Sequence, residues 1–112
     1  MTTPDIEHAL AARADCEATV ERLHKLCCEP GRSPRLLAVE EELTALRATL
    51  AAVEWEPDRI DTVIARLEDI GASIGRLQVG CCTPARMPLY DDVLTGLTTI
   101  QIDLNRVRGT AH

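Results

Sequence analysis

The chain repeats itself. The phrase CCEPGRSP begins at Cys27 and CCTPARMP begins at Cys81, 54 positions further on, and both fit the pattern C-C-x-P-x-R-x-P. The same displacement carries Asp15, Ala18, Val20, Arg22 and Leu23 onto Asp69, Ala72, Ile74, Arg76 and Leu77. Downstream of the phrase it carries Val39, Leu43, Thr44, Leu46 and Leu50 onto Val93, Leu97, Thr98, Ile100 and Leu104. A self-match over this span marks a tandem repeat, so whatever one half folds into, the other should match.

Each half reads as helix, loop, helix. Ile60, Val63, Leu67, Ile70, Ile74, Leu77 and Cys81 step by three and four, the spacing that lines one face of a helix in a bundle. Ile6, Ala9, Arg13, Cys16, Val20, Leu23 and Cys27 keep the same rhythm. So do Leu36, Val39, Leu43, Leu46, Leu50 and Val53, and Tyr90, Val93, Leu97, Ile100, Leu104 and Val107. Pro4, Pro34, Pro57 and Pro88 each stand just before a periodic run, where a missing N–H costs nothing, and Ser33 can cap the second helix. Asp91 and Asp92 are expected in the first turn of the last helix, with Arg106 and Arg108 in its last. The middle link, EWEPD, is short, which makes consecutive helices antiparallel neighbours.

The expectation is an all-α, up-down-up-down four-helix bundle built from two tandem helix-loop-helix repeats. It forms a single domain over 1–112, with repeat one at about 5–53 and repeat two at about 59–107. Composition agrees, since Trp55 and Tyr90 are the only aromatics and the apolar residues are aliphatic or small. Gly71 and Gly75, one turn apart on the third helix, would let another helix approach, so a homodimer through that patch is the alternative arrangement.

Charge narrows the functions. A formal net charge of −6, with eleven Arg and one Lys scattered along the chain, excludes a phosphate-binding surface, hence nucleic acid and anionic membrane as partners. The opening segment MTTPDIEHALAARADCEATVERL carries acids from Asp5 onward and no apolar run. It reads as neither a signal peptide nor a membrane span, and a cytoplasmic location is expected. Glycine-rich phosphate loops, G-x-S-x-G and H-E-x-x-H are absent, and the carboxylates fall on faces expected to be solvated. Glu21-x-x-His24 occurs once and without the mates a di-iron bundle needs. No catalytic role is expected.

The repeated phrase is the candidate site. Helices one and three should run the same way, bringing both loops to one end, with Cys27 and Cys81 on the core-facing stripes and Cys28 and Cys82 beside them. Diagonal helices in a bundle stand roughly 11 to 14 Å apart, which leaves facing Cβ atoms about 5 to 8 Å apart. A disulfide wants about 3.5 to 4.5 Å. A metal or cluster held by thiolates fills the gap better, each zinc–sulfur bond being about 2.3 Å. Four thiolates around such a centre leave a net charge of about −2, which Arg32 and Arg86 would offset. Tyr90 would lie close enough to donate to a sulfur or pack over the loop.

The bundle has apolar stripes enough to fold without metal, which favours an iron–sulfur cluster first, zinc second and copper(I) third. Electron transfer or sensing, with a redox or regulatory protein partner, is the expected role. The alternative is a thiol–disulfide redox switch or a helical adaptor without metal. Among the remaining residues, Cys16 is expected to be a small buried hydrophobe and His24 a partly exposed histidine, the alternative being a fifth ligand or a proton-linked neighbour of the cysteine site. His8 should lie on a helix surface, His112 at the terminus, and Trp55 in the middle link as a plug or partner anchor. Arg13, which breaks its stripe, should snorkel or pair with Glu17 four residues on.

Overall fold

The structure, a computed structural model, describes residues 4–25, 34–51, 57–80 and 86–110. Four helices account for nearly all of them: α1 (Pro4–Lys25), α2 (Pro34–Leu50), α3 (Pro57–Gly80) and α4 (Met87–Thr110). Proline opens the first three, at the position where its fixed φ suits the helix and its missing N–H has no partner to lose. Asp5 and Glu7 in the first turn of α1, and Arg22, His24 and Lys25 in its last, match the polarity of the peptide dipoles. In α4 the helix begins at Met87, one residue before the proline, so Asp91 and Asp92 fall beyond the first turn, which carries no acid. Helix α2 ends at Leu50, where the Ala51 N–H donates to Arg47 O at 3.0 Å. Thr19, Thr44, Thr62, Thr98 and Thr99 return their hydroxyls to the carbonyl four residues earlier, which satisfies the side chain on an exposed face.

Cross-helix contacts set the direction of every helix. Gln78 reaches Asp91 (3.2 Å), Gln101 reaches Glu68 (3.5 Å) and Arg108 reaches Asp61 (2.7 Å). Each step back along α3 is thus matched by an equal step forward along α4. His8 with Asp103 and Cys16 with Val93 run α1 against α4 in the same antiparallel sense. Arg13 with Leu43 and His24 with Glu40 join α1 to α2. Every helix packs on two neighbours in the cycle α1–α2–α3–α4, the α1–α4 seam being the most extensive and α2–α3 the least. The result is an all-α four-helix bundle measuring 48 × 21 × 19 Å, with helices alternating in direction. No described helix is long and apolar enough to cross a membrane.

The core follows the predicted stripes. Ile6, Ala9, Cys16, Val20 and Leu23 of α1 are buried, as are Ile60, Val63, Leu67, Ile70 and Ile74 of α3. Leu36, Val39, Leu43, Leu46 and Leu50 of α2 meet Tyr90, Val93, Leu97, Ile100, Leu104 and Val107 of α4 in one cluster. Buried positions therefore recur at the 54-residue displacement that relates the repeated phrases. Leu77 departs from its expected place, being only half-buried against the core edge. Val53, Trp55 and His112 lie outside the described residues.

Gly71 lies close to α4. A Cβ built on it would meet Leu94 Cδ2 of α4 at 3.9 Å, so it belongs to the α3–α4 seam, whereas Gly75 faces open space.

Candidate functional site

Alternation of the helices collects four termini at one end: the C-termini of α1 (Lys25) and α3 (Gly80), and the N-termini of α2 (Pro34) and α4 (Met87). The segments bearing the repeated phrase leave and re-enter the bundle there. Cys27, Cys28, Cys81, Cys82 and Arg32 themselves lie outside the described residues. Among the described residues, no group of three or more His, Cys, Asp or Glu side chains is arranged to hold a metal.

Two of the expected supporting residues can be placed. Arg86 is buried, only 6% exposed, although it carries a full charge. Its guanidinium carbon stands 5.4 Å from the centroid of the Tyr90 ring, a cation–π stack that costs little desolvation because the ring face replaces water. The Arg86 Nε has no hydrogen-bond partner among the described residues. Tyr90 is fully buried, so it is a core residue first and a platform for Arg86 second. Its counterpart in the first half is Leu36, which has no π face to offer, so the two halves differ at this end.

Cys16 is buried on the α1 stripe as expected, 2% exposed, and its thiol donates to Val93 O at 3.6 Å. Burial pushes its pKa up to about 11; Asp15 pushes the same way and Arg13 partly opposes them. A thiol held protonated and in contact with a carbonyl is a poor nucleophile. A Cβ on Gly96 would collide with this sulfur, which shows how closely α4 lies on α1.

Three polar placements were only partly legible in the sequence. Arg13 is buried, donating to Glu17 as expected and also to Leu43 O at 3.2 Å across the α1–α2 seam. The second carboxylate story is a correction: Asp103 does not sit on a solvated face but is buried at 1% exposure in the α1–α4 seam. It is held there by His8 Nδ1 at 2.7 Å, with Arg106 more distant at 3.8 Å. His8 is exposed, as expected, yet bound to a buried acid, and sequence spacing carries no signal for a pair 95 residues apart. His24 is partly exposed, as expected, and its Nε2 lies 2.8 Å from Glu40 Oε2 of α2.

A surface depression of about 400 Å³ runs along the α1–α4 seam, lined by His8, Cys16, Asp92 and Gly96. His8 and Cys16 both line it, with Asp15 between them in sequence. Cys16 and His8 nevertheless stand two turns apart on α1, about 12 Å along the axis, so the imidazole cannot take the thiol proton. Searches against protein-family models, curated proteins and solved structures found no match to this chain.

Proposed function

We propose that this chain is a small metal-binding protein in which Cys27, Cys28, Cys81 and Cys82 hold an iron–sulfur cluster, or failing that zinc, at the loop end of the bundle. The observation that carries this reading is the alternation of helix directions. It brings Lys25, Pro34, Gly80 and Met87 to one end, so both cysteine-bearing segments are tethered there at each of their limits. Support also comes from Arg86, a buried cation at the start of α4 whose burial is easier to sustain beside negative charge. Soft thiolates suit iron–sulfur clusters and zinc, and the role would be electron transfer or sensing with a protein partner in the cytoplasm. This reading assigns no catalytic residue to the polypeptide.

A second reading rests on the completeness of the aliphatic core, which packs without any bridging group. On that reading the same four cysteines form a thiol–disulfide switch on a helical adaptor. Anaerobic purification without chelators, followed by a visible spectrum and assays of iron, zinc, copper and sulfide, separates the two. Brown colour with stoichiometric sulfide is expected for the cluster, and colourless protein with one zinc for the closed site. Metal-free protein with fewer than five thiols titrating in denaturant would replace the metal reading with the switch.

A further inference from the structure

Among the described residues, one full charge is buried with nothing of opposite sign beside it. Arg86 is 6% exposed, its Nε has no hydrogen-bond partner, and no Asp or Glu of the described residues pairs with it. The acids that follow it on α4 are engaged elsewhere: Asp91 accepts from Gln78 of α3, and Asp92 lines the depression against α1. Stacking on the Tyr90 ring at 5.4 Å serves one face of the guanidinium and leaves its in-plane N–H donors to other partners. A desolvated cation in that state is costly unless an anion meets it.

The surroundings have the sign that such an anion needs. At the loop end the terminal turns carry Arg22 and Lys25 of α1 and Arg35 of α2, with Arg86 just ahead of α4, and no Asp or Glu. The connecting segments 26–33 and 81–85 add one acid and one base, Glu29 and Arg32, which leave that balance unchanged. At the opposite end Asp5, Glu7 and Asp58 stand against Arg47, Arg59 and Arg108. A chain of net charge −6 thus has one positive end. Arg86 also lies over the first turn of α4, where a helix leaves amides without intrahelical partners and its peptide dipoles present positive potential. An oxyanion with several acceptor oxygens can take a guanidinium edge bidentately and meet that turn at once.

We propose that Arg86, backed by Tyr90 and the first turn of α4, binds a small tetrahedral oxyanion of the phosphate class. One desolvated arginine is a site for a single anion, unlike the extended cationic surface that nucleic acid requires. The first half has no equivalent, because Leu36 stands at the position corresponding to Tyr90 and offers no ring face. The inference does not rest on the cysteine reading: the five donors of a guanidinium can serve an oxyanion and a thiolate centre together.

The test titrates inorganic phosphate, and separately glycerol phosphate, into the full chain at constant ionic strength while the Arg86 Nε–H signal is followed by NMR. A saturable shift with a Kd below about 1 mM is expected. Response to inorganic phosphate alone assigns a free anion, and response to both assigns a phosphoryl group carried by a larger molecule. Arg86→Lys, which keeps the charge and loses the fork, should weaken binding about three- to tenfold by calorimetry, and Arg86→Gln by more. Arg35→Gln, at an exposed cation of the same end, should change it about twofold or less. Far-UV circular dichroism checks each variant, and Arg86→Lys carries the test if Arg86→Gln fails to fold. Affinity unchanged in Arg86→Gln, or in Arg86→Lys where the other does not fold, overturns the inference. So does the lack of a saturable shift with either phosphate, and binding of a polyglutamate peptide in that case would assign the positive end to an acidic protein instead. Failure of the cysteine reading would appear as purified protein without metal and would leave the phosphate titration as it is.

Discussion

The α1–α4 seam and the α2–α3 seam occupy corresponding places in the two halves, and they have become opposites. Cys16 and Gly96 meet in the first, while the residues displaced from them by 54 positions, Ile70 and Glu42, line a groove of about 340 Å³ in the second. Replacing a small pair by a branched residue and a long acid holds the backbones apart, because interiors are close-packed and added atoms must be accommodated by separation. The tight seam also buries Asp103 against His8, where the other half has Thr49 and Thr62. Two interfaces at corresponding positions thus differ by a few side-chain volumes and one buried charge. The tight one runs from His8 and Asp103 to Cys16 and Gly96 along α1 and α4.

The contrast breaks most readily at Gly96. Gly96→Val should cost about 3 kcal/mol in urea unfolding, since the new branch collides with Cys16 and the seam cannot open cheaply. Glu42→Val, its counterpart at the exposed side of the loose seam, should change stability by about 0.5 kcal/mol or less. Equal losses at the two positions would mean that the seams do not differ in closeness.

Cys16 sharpens the comparison through pH. Its pKa is raised in the folded chain from 9.0 to about 11, so the unfolded state loses its proton first. The stability this group contributes is fully present below about pH 9 and is lost as pH climbs from there through 11, by about 3 kcal/mol at most. Cys16→Ala should remove that part of the alkaline slope, read as the difference between the two unfolding profiles at pH 8, 9, 10 and 11. Parallel profiles would place the thiol in water rather than in the seam.

The smallest effect is expected at His8. Because the imidazole is largely exposed, His8→Ala should cost about 1 kcal/mol, chiefly by leaving Asp103 buried with a single distant cation. Asp103→Leu in the same chain should recover that loss, since an apolar side chain needs no partner there. Thr62→Ala at the corresponding site of α3 should be close to neutral. A double variant no better than His8→Ala alone would show that the acid is not held by the histidine.

Much of the architecture could be read before any coordinates. Leu43, Leu46 and Leu50, or Val93, Leu97 and Ile100, announce a helix face because the period of the backbone is a local property that side-chain hydrophobicity must obey. Prolines at 4, 34 and 57 mark helix starts for an equally local reason, the loss of one N–H that has no use. Asp103 was misplaced on a solvated face because its position in the helical period says only where it points, and a partner from α1 makes that direction tolerable. The partner of His24 has no signal in the sequence, because Glu40 becomes adjacent only when α2 folds back against α1. The candidate cysteines are legible as a repeated pattern and lie outside the described residues, and helix directions bring the termini that flank them in sequence to one end.

From the residues alone came the number of helices, their apolar faces and the equivalence of the halves, since each depends on interactions within a few turns of chain. Tertiary structure decided which seam closes, which acid is buried and which histidine meets a carboxylate. Those outcomes turn on distances between groups far apart in sequence, where a missing methyl at Gly96 or a neighbouring imidazole changes the balance of packing against desolvation.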